Sequence, residues 1–227
     1  MGCTTFLATS CASGSQEVAG SAIDRPAGSS TPGSTTAPAP LSQSVHPVTT
    51  VVISDDAAAV GDGQPAAEGW PRVLAASLAG AGTPLQLEVA AADAGGYAGD
   101  PTFTELVRDT VVESTQLVVF YETAVGSASA AAVAEGAEDA FAAVERQAPD
   151  AVVVVVAPWA SGNAPVPSDA VRDAVRAAAD DAEVSVTYID PVGDGWARQA
   201  SQRQIADLMY ADVADLVAAL ATSGAFE

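Results

Sequence analysis

The chain contains no lysine, a single histidine and two cysteines, and only 5% of its 227 residues are aromatic. Each shortage removes a class of function. The cations are eight arginines against 29 acidic residues, a net charge of −21. Binding nucleic acid needs clustered cations to displace counterions from phosphate, so no nucleic-acid partner is expected. Docking onto anionic lipid by charge alone is disfavoured for the same reason. Both cysteines, Cys3 and Cys11, lie at the extreme N-terminus, which excludes a disulfide or thiolate metal site within a folded domain. The lone histidine, His46, precedes the first strand-like run. No apolar stretch is long enough to span a bilayer. Alanine and valine supply most of the 49% hydrophobic content, so the core is built from small side chains that demand close backbone packing. Missing lysine, with arginine as the sole basic residue besides one histidine and with abundant Ala, Asp and Val, matches the coding bias of a high-GC bacterium.

The residues that are present divide the chain into three. Residues 1–11 form a short, weakly apolar segment ending Leu7-Ala8-Thr9-Ser10-Cys11. Residues 12–47 are dominated by Ser, Gly, Thr, Ala and Pro. Such a composition buries too little apolar surface to order itself and reads as a flexible tether. Together these pieces resemble the start of a bacterial lipoprotein, in which a cysteine after small residues becomes the lipidated first residue. The resemblance implies acylation at Cys11. It also implies a place on the outer face of the cytoplasmic membrane, or secretion, with membrane contact only through that anchor. The basic n-region and longer apolar segment of such signals are not seen before Cys11; a start further upstream would supply both.

Residues 48–222 alternate strand and helix signals. Strands are predicted at Thr49–Ser54, Pro84–Ala90, Gln116–Tyr121, Ala151–Ala157 and Val184–Ile189. The third and fourth are continuous apolar runs, one holding five successive valines, as expected of central strands buried on both faces. Helices are predicted at Ala66–Ala79, Phe103–Val112, Ala130–Gln147, Ser168–Ala182 and Ala200–Ala221. In the first, Trp70, Val73, Leu74 and Leu78 recur at helical spacing, which makes Trp70 a core residue. Ser168 is the expected cap of the fourth. The last carries an apolar stripe from Ile205 to Leu220, with Asp207, Asp212 and Asp215 on its solvated face. Five strands alternating with helices predict an α/β class domain, a three-layer α/β/α sandwich on a five-stranded parallel sheet. Sites in such sheets form beyond the carboxyl ends of the strands. The segments to inspect are therefore 54–59, 91–97, 121–126, 158–163 and 190–204.

Several of these segments resemble, in order and spacing, the SGNH (GDSL-type) hydrolase family. Val51-Val52-Ile53-Ser54-Asp55-Asp56 resembles the first block, where the family has Gly-Asp-Ser. Gly69-Trp70-Pro71-Arg72-Val73-Leu74 resembles the helix that follows, and Ala94-Gly95-Gly96-Tyr97 the glycine turn of the second block. Phe120-Tyr121-Glu122-Thr123-Ala124 occupies the place of Gly-x-Asn-Asp. Ala148-Pro149-Asp150, the valine strand and Ala157-Pro158-Trp159 resemble the fourth strand of actinobacterial members. Ile189-Asp190-Pro191-Val192-Gly193-Asp194-Gly195-Trp196 resembles their fifth. The resemblance implies a flavodoxin-like esterase fold.

The chemistry of that family depends on a serine activated by a histidine base, with oxyanion donors from serine, glycine and asparagine. Here Asp56 stands at the serine position, Glu122 and Thr123 replace the asparagine region, and Gln204 most nearly takes the place of the histidine. A carboxylate is a feeble nucleophile toward esters and opposes a developing oxyanion, and glutamine shuttles no proton near neutral pH. His46 enters at the far edge of the sheet. The expectation is a degenerate site without esterase activity, on an envelope protein that binds an unknown small molecule or protein. An active hydrolase with a rearranged or carboxylate-based site is the alternative. Candidate pocket residues are Ser54, Asp55, Asp93, Gly95, Gly96, Trp159 and Trp196.

The same residues also suggest other chemistry. Asp55, Asp56, Asp93 and Glu122 are oxygen ligands of the type hard cations favour, but separate solvation is expected in a chain this acidic. No metal and no cofactor is assigned. Asp56 with Glu122 or Asp93 would be the pair for carboxylate acid–base hydrolysis. Gly61-Asp62-Gly63 and Gly193-Asp194-Gly195 lack phosphate-loop spacing and read as turns.

Overall fold

The computed structural model describes residues 45–61, 69–123, 127–160 and 166–223. The lipoprotein-like segment with Cys11, nearly all of the proposed tether, and Asp62 and Gly63 lie outside the described residues. Five strands form one sheet: β1 (Val48–Ser54), β2 (Leu85–Ala91), β3 (Leu117–Tyr121), β4 (Val152–Val156) and β5 (Ser185–Ile189). Their order is β2-β1-β3-β4-β5, and every pairing is parallel. The central strand β3 is buried at all five positions, as its unbroken apolar run predicts. The edge strand β2 instead alternates, exposing Gln86 and Glu88.

Six helices accompany the strands: α1 (Ala57–Val60), α2 (Trp70–Gly80), α3 (Phe103–Thr110), α4 (Ala130–Gln147), α5 (Asp169–Asp181) and α6 (Gln202–Thr222). The strand period of two sorts the core into two halves. Val51, Ile53, Val118, Phe120, Val153 and Val155 pack against α3, α4 and α5. Val52, Leu117, Val119, Tyr121, Val154 and Val156 pack against α1, α2 and α6. The result is a three-layer α/β/α sandwich. Small residues allow close approach: Gly136 of α4 lies so near Tyr97 that a β-carbon there would run into its backbone. On the α2/α6 side the packing leaves an apolar cavity of about 10 Å³, bounded by Trp70, Leu74, Leu117 and Met209. That is room for about one water and not for a ligand. Among the described residues no helix is long and apolar enough to cross a membrane.

Several boundaries differ from the sequence reading. The single-turn α1 has no counterpart in the sequence pattern, because four residues carry no readable period; Asp56 caps its start and Gly61, at φ 74, ends it. Helix α2 begins at Trp70 with Gly69 as its cap and Pro71 in its first turn, where a missing N–H is harmless. Helix α3 stops at Thr110 because Val111 is extended; two successive β-branched residues disfavour another turn.

Candidate functional site

The parallel sheet delivers five loops to one edge. The hydrogen-bond ladder continues past the strand ends: Ala92 N–H donates to Ser54 O (3.1 Å), Asp55 N–H to Tyr121 O (3.4 Å), and Trp159 N–H to Glu122 O (3.4 Å). The candidate positions from β1, the β2–α3 loop, β3 and β4 are thereby tied together.

Four carboxylates at this edge are each bound to the chain's own backbone. Asp55 is buried and accepts from Thr123 N–H with both oxygens, at 2.8 and 2.9 Å, and from the Thr123 hydroxyl at 3.2 and 3.4 Å. Asp56 Oδ1 accepts from Ala59 N–H (2.8 Å), an N-cap geometry. Asp93 Oδ1 accepts from Ala57 N–H (3.3 Å). Glu122 Oε1 accepts from Tyr97 N–H (3.2 Å). The backbone donors that these carboxyl groups engage are thus not free to polarise a substrate carbonyl.

Glu122 is the most unusual of the four. It is 2% exposed, and its Oε2 has no hydrogen-bond partner among the described residues. Burial pushes its carboxyl up to about 8; nearby Asp55 adds to the rise, and the Tyr97 amide partly offsets it. Glu122 is therefore a neutral acid at pH 7. Gly96 makes room for it: at φ 133 a β-carbon at Gly96 would strike Glu122 Oε1. Gly95 is similarly confined, 2.9 Å from Ala92 O to a built β-carbon. Ala94 between Asp93 and Gly95 takes φ 67 without being glycine, a conformation that costs an L-residue roughly 1 kcal/mol.

The hydroxyl nearest the presumed attacking position is that of Ser54. It is fully buried, accepts from Asp56 N–H at 3.0 Å and lies 3.5 Å from Asp56 O. His46 is exposed and precedes β1 at the opposite edge. The length of β1 separates it from Ser54 by about 20 Å, at roughly 3.3 Å per residue. Gln204 is exposed and completes a capping box: its Oε1 accepts from Ser201 N–H (2.8 Å) and Ser201 Oγ (3.0 Å), while Gln204 N–H donates to Ser201 Oγ (3.3 Å). The Ser-x-x-Gln spacing carried that signal, and it explains why α6 starts at Gln202 rather than Ala200.

Trp159 and Trp196 are buried and meet edge to face, with centroids 5.6 Å apart. They belong to the apolar layer that includes Trp70 and Tyr121. Trp70 sits fully buried, as its helical spacing predicts. Burial holds the Tyr97 and Tyr121 phenols well above their ordinary range. Among the described residues no three His, Cys, Asp or Glu side chains are grouped as metal ligands.

No family model and no curated protein matches the chain in sequence. Solved structures do match. The chain is similar to the psychrotrophic esterase EstA from Pseudoalteromonas sp., in a structure inhibited by monoethylphosphonate. Identity is 12% over 74% of this chain and 98% of that one, with a TM-score of 0.54. It is also similar to AlinE4, an SGNH-hydrolase family esterase, at 13% identity over 76% and 96% of the two chains and a TM-score of 0.50. A point mutant of AlinE4 gives 14% identity, the same coverage and a TM-score of 0.50. At such identities the likeness speaks for architecture: this chain has the α/β/α fold of the SGNH-hydrolase esterases.

Proposed function

We propose that the chain keeps the SGNH-hydrolase scaffold without its esterase chemistry, and acts at the cell envelope by binding a small molecule or a protein. The observation that carries this reading is that side-chain carboxyl groups already occupy backbone donors at the strand ends. An ester carbonyl at this edge would find these donors already taken where its oxyanion needs them, and losing even one such donor costs roughly 3 kcal/mol of transition-state stabilisation. Ser54 is buried, and the one histidine is at the far edge. A hydroxyl with no base beside it is a poor nucleophile.

A carboxylate-based hydrolase is the second reading. A protonated Glu122 next to Asp55 is the type of acid–base pairing it requires. The 2% exposure of Glu122 counts against it, since a general acid has to reach its substrate. A panel of p-nitrophenyl acyl esters separates the readings. The full chain is expected to match the buffer background. Turnover that persists through purification and disappears in Asp56→Ala or Glu122→Gln would overturn the proposal.

The envelope location rests on Cys11 as an acylated anchor. Expressed in a bacterial host, the wild type is expected in the detergent phase and Cys11→Ala in the aqueous phase; identical partition would refute the anchor.

A further inference from the structure

We propose that Glu122 is a pH-operated latch at the strand-end edge: its neutral side chain holds the Tyr97 amide of the β2–α3 turn, and its ionised form swings out and leaves that amide free. The latch rests on the reading that side-chain carboxyl groups occupy the donors of this edge, and adds a control to it. Glu122 Oε1 accepts from Tyr97 N–H at 3.2 Å. Its Oε2 has no hydrogen-bond partner among the described residues, although the side chain is buried. Asp55 shows what a buried charge needs at this place: both of its oxygens accept from Thr123 N–H, and the Thr123 hydroxyl reaches both as well. An interior carboxylate is tolerated where such donors or a cation surround it. Glu122 has one donor. The chain has no lysine, the strand-end segments 54–61, 92–103, 121–129 and 157–163 hold no arginine, and the one histidine is at the opposite edge.

The surroundings oppose a charge on Glu122 from several sides. Asp55 faces it from the end of β1 and raises its carboxyl. The Tyr97 phenol comes from the β2–α3 turn, buried and without a hydrogen-bond partner among the described residues, with Tyr188 of β5 near enough to act on it. From the end of β4 the contact is Trp159 N–H, which donates to the Glu122 main-chain oxygen at 3.4 Å. Helix α4 meets the turn through Gly136, against the Tyr97 backbone. Asp56 and Asp93 stand at the same edge, one bound to Ala59 N–H and the other to Ala57 N–H. Burial and Asp55 together hold the Glu122 carboxyl up near 8, so it gives its proton to solvent just above neutrality.

The turn over the carboxyl is thin. Gly95 and Gly96 contribute no side chain to it, and a β-carbon at Gly96 would strike Glu122 Oε1. Asp93 and Ala94 on the same turn are exposed, and Ala94 is held at φ 67. Other ties keep the turn in place when the latch opens. Ala92 N–H donates to Ser54 O at 3.1 Å and Phe103 N–H to Gly96 O at 2.8 Å. The Tyr97 ring is packed between Phe103, Phe120 and Phe141, with centroids 4.9, 5.9 and 6.1 Å away. Ionisation therefore moves one side chain and frees one amide while the sheet and its core stay folded. At neutral pH the Tyr97 amide is occupied; on the alkaline side it becomes a backbone donor open to an anion or a carbonyl oxygen.

A proton–nitrogen NMR titration of the full chain from pH 6 to 9.5, with Glu122→Gln for comparison, tests the latch. A carboxylate that stayed in place would bind Tyr97 N–H more tightly than the neutral acid does, because charge-assisted bonds are stronger, and would shift the amide proton downfield. A carboxylate that swings out removes the bond. The Tyr97 amide proton should therefore move upfield, and its exchange protection, corrected for base catalysis, should fall at least about ten-fold between pH 7 and 9.5. Amides of β4 should keep theirs, and Glu122→Gln should show neither change. A downfield shift, a Tyr97 amide indifferent to pH, the same response in Glu122→Gln, or protection lost together with β4 would each overturn the latch. No ligand or substrate enters this measurement, so its failure leaves the esterase question to the ester panel alone.

Discussion

Replacing Glu122 by glutamine isolates the electrostatic cost of a buried carboxyl. The Glu122 carboxyl ionises near its ordinary 4.5 in the unfolded chain but only near 8 in the folded one. Between those values the unfolded state has released a proton that the folded state retains. Folding stability therefore falls as pH rises, by about 1.4 kcal/mol for each pH unit. Below pH 4.5 the acid is neutral in both states and imposes no such cost. Pushed to about pH 7 the accumulated cost is roughly 3 kcal/mol, and above pH 8 it levels off at roughly 5 kcal/mol. Glutamine has the same shape, keeps an oxygen for Tyr97 N–H, and never ionises. Urea denaturation of wild type and Glu122→Gln at pH 5, 7 and 8.5 is the assay. The variant should lead wild type by only about 1 kcal/mol at pH 5 and by roughly 3 kcal/mol at pH 7, with a larger lead at pH 8.5. General repulsion within this acidic chain affects both proteins and cancels in the difference. A gap that stays constant from pH 5 to 8.5 would refute the reasoning.

Other perturbations follow from the same geometry. Asp55→Asn keeps one acceptor for Thr123 but loses the charge, so chemical denaturation should show a loss of about 1–2 kcal/mol. The same change should lower the pH at which Glu122 titrates, read by carboxyl NMR, because Asp55 contributes to its elevation. Gly136→Ala should destabilise by at least about 2 kcal/mol although alanine is the better helix former, since its β-carbon would collide with the Tyr97 backbone. Ala94→Gly relieves the positive φ and should raise stability by about 0.5 kcal/mol in the same titration. Gln204→Ala should cost about 1 kcal/mol by breaking the capping box, and leave the ester background unchanged.

The architecture was legible because it depends on short-range pattern. Apolar runs such as Val152–Val156 mark buried strands, and the Trp70-Leu74-Leu78 stripe marks the face that α2 turns to the core. The site was less legible because its contacts join residues far apart in the chain. Asp55 meets Thr123, Glu122 meets Tyr97, and Gln202 meets Trp70. Nothing local in Tyr121-Glu122-Thr123 distinguishes a buried neutral acid from a solvated one; the signal is the facing Gly96, visible only once the two loops are adjacent. Trp159 and Trp196 follow strands and so read as rim residues. Their mutual edge-to-face contact draws both indoles into the apolar layer instead. Gln204 illustrates an overlap of signals, since alignment with a family position obscured a capping box that its spacing from Ser201 already encoded.

The most direct measurement of the central claim is covalent labelling with a fluorophosphonate, which reports an activated serine independently of substrate choice. Intact-mass analysis of the full chain after incubation should show no adduct, because Ser54 is buried without a base and the half-buried Asp56 is spent on capping α1. A stoichiometric adduct on any serine of the strand-end loops would contradict the account.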